Sequence, residues 1–239
     1  MALPGAPIGL ALNPDGSHAA VATTNSVLYI NLQTQAVENT FAVQTGNTAT
    51  VVLTPTSVFL FPASSYSGSL IGVDLQTGTV NTQQYFYLSG ANYNAALNAI
   101  YGTQNGYSPN DVYRYSVSTL GILTAGTNSP YGDFNICGNV WFSADWQTLY
   151  TGCGTAFHAS SDPTKDVRYA SSFPGLSRIQ SLYASNGSGG IAAIPAAPQW
   201  TIPGIPAPPS DSEVFLFDSV YLNPTGHFQL APFTVSSRT

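Results

Sequence analysis

Short apolar runs, four to nine residues long and bounded by Pro, Gly, Asn, Asp or Ser, follow one another along the whole chain. None shows the three-to-four-residue spacing of a capped amphipathic helix, so the pattern predicts strands joined by turns. One stretch organises the rest: Ser26 to Thr34, SVLYINLQT, returns nearly unchanged as Ser69 to Thr77, SLIGVDLQT. Weaker copies begin at Val112, Ala156 and Val214. Counting from Val27 and Leu70, the marker therefore recurs after 43, 42, 44 and 58 residues. The long last interval contains a proline-rich insert, Pro195 to Ser210, whose sixteen residues restore the common spacing when removed. A period in the low forties made of short strands predicts an all-β fold, a β-propeller of five four-stranded antiparallel blades in one domain. The repeats fall at about 7–46, 47–90, 91–134, 135–175 and 176–235.

Within the first repeat the strands, A to D, are predicted at Ile8 to Leu12, His18 to Ala22, Val27 to Leu32 and Val37 to Val43. Asn13-Pro14-Asp15-Gly16 forms the first turn. The second repeat reads as 49–53, 58–61, 70–75 and 80–88, and the third as 92–97, 99–102, 112–117 and 121–125. The fourth reads as 140–143, 148–151, 156–160 and 167–171, and the fifth as 179–184, 191–194, 214–218 and 228–232.

Pro7 to Gly16, followed by Ala20 to Asn25 and Val27 to Thr34, resembles one YVTN-type propeller repeat, the kind found in bacterial and archaeal surface proteins and lactonase-like propellers. The resemblance is good over the first repeat and partial over the second. It implies a propeller in a bacterial extracellular setting and no particular activity. Later repeats replace the Pro-Asp-Gly turn with Thr54 to Ser57, Ser143 to Trp146 and Ser185 to Ser188. Five repeats admit a closed ring or a segment of a larger propeller. The closed ring is the expectation, because bare blade faces at both ends would leave a large apolar patch.

Alternation of turns in a meander puts A–B and C–D turns on one side of the disc, and B–C loops and blade crossings on the other. The B–C loops vary widely in length, and variable loops on a rigid scaffold commonly carry binding. Tyr66, Tyr107 and Trp200 lie in three of them, and Tyr131 with Asp133 lies in a crossing. Aromatic rings among uncharged amides and hydroxyls suit a glycan or protein ligand. Since the chain holds fourteen tyrosines, most must simply pack between blades. The insert, with six prolines in sixteen residues, should be a semi-rigid arm.

Charge narrows the picture. Only 7% of residues are Asp, Glu, Lys or Arg, against roughly 25% in an average protein. Five basic against eleven acidic residues leave no stripe to neutralise phosphates, which argues against nucleic acid. No apolar run approaches the eighteen or so residues needed to cross a bilayer, and MALPGAP has no basic n-region or apolar h-region, so any export signal has been removed or was never part of this sequence. Cys137 and Cys153 flank the A–B hairpin of the fourth repeat symmetrically about Asp145, which predicts a cross-strand disulfide in an oxidising compartment. His18, His158 and His227 fall in different repeats without metal-ligand spacing, and no phosphate loop, nucleophile elbow or dinucleotide fingerprint occurs. No metal, cofactor or catalytic residue is therefore assigned. Glu38, Asp74, Asp111, Arg114 and Asp218 belong to strand C or D contexts, away from the inner strand where a lactonase-like site would sit. The expectation is a noncatalytic extracellular or cell-surface module for adhesion, recognition or assembly, the alternative being a lactonase-like hydrolase.

Overall fold

The computed structural model describes residues 3–46, 48–63, 68–86, 88–104, 110–118, 120–196 and 212–231. Those residues form twenty strands and no helix. Blade 1 consists of β1 (Pro7–Leu12), β2 (His18–Thr23), β3 (Ser26–Asn31) and β4 (Ala36–Ala42). Blade 2 has β5 (Thr48–Leu53), β6 (Ser57–Pro62), β7 (Gly68–Asp74) and β8 (Val80–Phe86). Blade 3 follows with β9 (Leu88–Asn94), β10 (Ala99–Gln104), β11 (Val112–Val117) and β12 (Leu123–Asn128). Blade 4 has β13 (Val140–Phe142), β14 (Thr148–Thr151), β15 (Thr155–His158) and β16 (Tyr169–Ser172). Blade 5 has β17 (Ile179–Ala184), β18 (Gly190–Pro195), β19 (Glu213–Asp218) and β20 (Pro224–Gln229). Each blade is one antiparallel sheet in sequence order, so every strand pairs only with its chain neighbours. This is the five-bladed propeller that the spacing predicts.

The repeat is specified at its turns. At each A–B turn a side-chain oxygen accepts a backbone N–H a few residues on. The pairs are Asn13 from His18 at 2.9 Å, Thr54 from Ser57 at 3.0 Å, Asn94 from Leu97 at 3.1 Å, Ser143 from Thr148 at 2.9 Å and Ser185 from Ser188 at 3.3 Å. Short polar side chains at a turn start satisfy backbone donors that the ladder leaves over. The Pro-Asp-Gly sequence is thus dispensable, while the capping oxygen is kept in all five blades. The copied motif has the same logic at the C–D turn. Asn31 Oδ1 accepts the Gln33 and Thr34 N–H groups, both at 3.0 Å, and Asp74 Oδ1 those of Gln76 and Thr77 at 3.0 and 2.7 Å. Asp218 Oδ1 does the same for Val220 and Tyr221 at 3.0 and 2.6 Å.

Several predicted edges shift. The first strand of blade 3 runs Leu88–Asn94, not 92–97, because Asn94 turns its oxygen to the Leu97 N–H and ends the strand. The last strands of blades 3 and 5 are Leu123–Asn128 and Pro224–Gln229, displaced from 121–125 and 228–232. A residue with positive φ precedes each last strand: Gln35, Gly78, Gly121, Val167 and Leu222. The C–D pairing contains a register shift in every blade, a bulge that hydrophobic alternation does not reveal.

The core lies between blades. Val51, Leu53, Val58 and Leu60 of blade 2 pack on Ala20, Ala22 and Val27 of blade 1. Phe59, Phe61 and Leu70 meet Ala91, Tyr93 and Ile100, and Tyr101 and Val112 meet Val140, Phe142 and Phe157. Tyr150 and Phe173 meet Leu182, Ile191 and Phe217. Few charges are available, so amides also bridge blades: Gln83 exchanges two bonds with the Leu123 backbone at 2.8 and 2.9 Å, and Asn94 Nδ2 donates to the Trp146 carbonyl at 2.9 Å.

Among the described residues the expected closure is not made. Inner strands pack in the series β1, β5, β9, β13, β17; at the outer sides of blades 1 and 5 Leu10 is 63% and Tyr183 70% exposed, whereas Ala19, Val21, Leu28 and Ile30 of blade 1 are buried, with Leu3 and Val37 packed against them. β1 and β17 share no such packing among the described residues.

Candidate functional site

The inner strands line a central channel. One stretch of it, about 290 Å³, is walled by Gly9, Thr50, Ala91, Asn92 and Trp141 from four successive blades. Asn92 and Trp141 also line a second cleft of about 260 Å³, which continues to the A–B turns of blades 4 and 5 and adds Ser143, Trp146, Tyr183 and Asn186. The two share a wall, so the channel opens on the turn side beside two of the three tryptophans of the chain.

Each wall residue is placed by the blade pattern. On β13, Val140 and Phe142 point back at blade 3, so Trp141 between them points towards blade 5, against Leu182 and Ile191. Trp146 occupies the turn position of Gly16: the two have φ of 64° and 70°. A bulky residue in the left-handed region is strained by about 1–2 kcal/mol. Here the strain is held by three contacts: the Trp146 N–H donates to Ser143 O at 3.0 Å, its carbonyl accepts from Asn94, and its ring lies 5.6 Å from that of Phe142. Asn92 is held by its own bonds, Nδ2 donating to Val140 O at 3.3 Å and Oδ1 accepting the Tyr93 N–H at 2.8 Å. The Asp145 carboxyl in the same turn is held below the usual carboxylate range, chiefly by the Ser143 hydroxyl at 2.6 Å. No Asp, Glu, Lys or Arg lines the mouth among the described residues. The sequence signal for this site is a pair of tryptophans in the fourth repeat, one on the inner strand and one in the turn that follows it.

On the loop side the structure places two of the five proposed aromatic and acidic residues. Tyr131 is 74% exposed and Asp133 is exposed, both in the crossing from β12 to β13. That crossing is anchored by buried Ile136, by Phe134 stacked on Tyr169 at 4.7 Å, and by a disulfide from Cys137 to Cys153 with Cα atoms 5.1 Å apart. The predicted bridge therefore forms, although its geometry differs from direct facing. Val140 opposes Thr151 in the ladder, which is one residue out of step with Cys137 against Cys153. The left-handed Gly138, φ 69°, absorbs the difference beyond the strand end. Tyr66, Tyr107 and Trp200 lie outside the described residues. Near Tyr131, burial raises the Asp111 carboxyl above its ordinary range; it accepts from the Ser129 hydroxyl at 3.2 Å.

The histidines are structural. His18 stacks on Tyr29 at 4.6 Å with Nε2 3.2 Å from Glu38 Oε2, and His227 lies 5.8 Å from Phe215. His158 shares a third cleft, about 450 Å³, with Lys165 and Arg168 on the outer edge of blade 4. Arg114 is spent internally, 3.7 Å from the buried Asp166.

No protein-family model matches this chain, and no curated protein matches its sequence. Solved structures do. Hydrazine synthase from Kuenenia stuttgartiensis superposes with a TM-score of 0.62 at 18% identity, covering 92% of this chain and 64% of that one. A chain in a crystal structure of the mitotic checkpoint complex superposes with a TM-score of 0.67 at 14% identity, covering 95% of this chain and 66% of that one. The 239 residues thus span about two thirds of the matched chains. At these identities the likeness is one of fold: the chain is similar to propeller structures.

Proposed function

We propose that this propeller is a noncatalytic, extracellular or cell-surface recognition module whose channel mouth takes a neutral, hydroxyl-rich ligand, a glycan by preference. The observation that carries the reading is the mouth itself. Trp141 and Trp146 offer flat apolar faces, Asn186 an amide and Tyr183 a hydroxyl, and no charged side chain lines the mouth among the described residues. Sugars present C–H faces that stack on such rings and hydroxyls that bond to amides. The disulfide fits an oxidising compartment, and the YVTN-like first repeat fits a bacterial surface protein. Tyr131 and Asp133, in the exposed β12–β13 crossing, belong to a second recognition rim for a protein neighbour in a surface assembly, to which the sequence expectation adds Tyr66, Tyr107 and Trp200.

A glycan array read beside intrinsic tryptophan fluorescence tests this. Ligand entry should shift the emission of Trp141 and Trp146, and Asn186→Ala should weaken binding about fivefold, the value of one hydrogen bond of roughly 1 kcal/mol. Replacing Tyr66, Tyr107 and Trp200 together by Ala should leave glycan binding intact and weaken only a protein partner. Turnover of a lactone or glycoside, or an array without hits, would overturn the reading.

A further inference from the structure

Four of the five C–D connections are turns of four or five residues, 32–35, 75–79, 118–122 and 219–223, whereas that of blade 4 runs through ten, 159–168. The extra residues are firmly built in. The Asp162 carbonyl accepts the Lys165 and Asp166 N–H groups at 3.0 and 2.9 Å, and its carboxylate accepts the Thr164 N–H and hydroxyl at 2.9 and 2.7 Å. Asp166 and Val167 are buried at the root of the loop. Together with the A–B turn beside it, this loop encloses the cleft of about 450 Å³ on the outer edge of blade 4. His158, Lys165 and Arg168 line that cleft, and no carboxylate does among the described residues. Asp162 meets Lys165 from outside the lining, Oδ2 3.8 Å from Nζ, in an exposed pair that holds neither group firmly. Two of the five lysines and arginines of a chain with net charge −6 therefore meet in one place. Arg168 is also aimed: its Nε donates to the Thr164 carbonyl at 3.3 Å, and its two terminal nitrogens bond to no described residue. Tyr169, backed by the stacked Phe134, forms an aromatic wall.

We infer that this cleft binds the carboxylate of an acidic sugar. A guanidinium fork with free terminal nitrogens matches a carboxylate through two parallel hydrogen bonds, and Lys165 adds a point charge beside it. The exposed Asp162 and the negative net charge favour a singly charged group over the nearly double charge of a phosphate monoester. Tyr169 and Gln147 supply what the rest of a sugar needs, a flat apolar face and an amide. An acidic peptide would bring several carboxylates against a chain that is itself acidic, and like charges across an interface repel. Position agrees as well. Trp146 lines the channel mouth and Gln147, the next residue of the same turn, lines this cleft, so one glycan can lay a neutral unit in the mouth and an acidic unit in the cleft. The sugar half of this inference rests on the glycan reading of the mouth, whereas the carboxylate half rests on the cleft alone.

Nitrogen-15 spectra of the 239-residue protein test the cleft and the mouth separately. The Arg168 Nε–H and the Gln147 side-chain amide report on the cleft, and the Trp141 and Trp146 indole N–H groups on the mouth. Sodium glucuronate should shift the cleft signals saturably, and its uncharged methyl ester should leave them in place. Arg168→Gln, read at Gln147, should weaken glucuronate at least tenfold, the value of charge-assisted hydrogen bonding, with an unchanged melting temperature. Equal shifts with the ester, undiminished binding to Arg168→Gln, or cleft signals that do not move would overturn the proposal. A tetra-aspartate peptide binding as tightly as glucuronate would overturn the sugar assignment and make the partner an acidic protein. Failure of the mouth alone has its own signature: neutral oligosaccharides leave the indole signals still while glucuronate moves Arg168, which retains the cleft.

Discussion

Asp166 shows how a chain with so few charges uses one. It is 2% exposed, accepts from the Tyr101 hydroxyl at 2.8 Å, from the Ser160 N–H at 3.0 Å and from Thr127, and faces the Arg114 guanidinium at 3.7 Å. These contacts tie the outer strands of blade 3 to the C–D loop of blade 4. Burial beside this carboxylate pushes the Tyr101 phenol far above its ordinary range. Asp166→Ala strands a buried guanidinium and a buried hydroxyl, and should cost about 3–5 kcal/mol in urea unfolding. Asp111 is a buried carboxyl whose ionised form is disfavoured. Burial raises its folded pKa, so its contribution to stability is present below the unfolded value of about 3.9 and is lost as pH rises through the folded pKa. Asp111→Asn keeps an acceptor for Ser129 and should make the protein more stable at pH 7 while leaving it unchanged at pH 3. Asp74 and Asp145, both lowered, chiefly by the Thr77 N–H and by the Ser143 hydroxyl, add stability above about pH 3.9 that disappears as the pH falls through their folded pKa values.

At the scale of the element, the blade repeats its turns more faithfully than its sequence. Every C–D turn delivers a left-handed residue to the start of the last strand, and only two of the five are glycine. Val167 and Leu222 accept that backbone because their side chains are 0% and 3% exposed in the inter-blade core. Gln35 is exposed and gains no such packing. Gln35→Gly should therefore stabilise blade 1 by about 0.5–1 kcal/mol, the left-handed penalty less the chain entropy glycine adds, read as a rise in melting temperature. The disulfide acts on blade 4, which has the shortest strands, three or four residues each. Replacing Cys137 and Cys153 by Ser should cost about 3 kcal/mol, the loop-closure value for a separation of sixteen residues. Melting curves with and without reductant should converge in that variant.

For the whole molecule, a series of blades with inter-blade cores behaves as a stack in which each unit is stabilised by its neighbours. Blades 2, 3 and 4 have two neighbours, whereas blades 1 and 5 have one. Amide exchange on the 239-residue chain should accordingly be fastest in β20, which is exposed at every residue, and slowest in β6 and β10, whose apolar residues are almost completely buried. Equal protection in all five blades would contradict an open ring.

Periodicity alone determined most of the architecture, because a four-stranded blade pairs only chain neighbours and each pairing is announced by a local turn. SVLYINLQT and SLIGVDLQT mark strand C and its Asx turn without reference to anything distant, and the cysteine spacing marks a bridge within one hairpin. Tertiary structure decided what depends on the angle between blades: whether the ends meet, that Leu10 and Leu12 stay bare while Val51 and Leu53 are covered, and that Trp141 and Trp146 converge with Asn92 and Asn186. Those contacts join residues roughly forty or more positions apart through packing of whole faces, and such geometry leaves no periodic trace in a sequence.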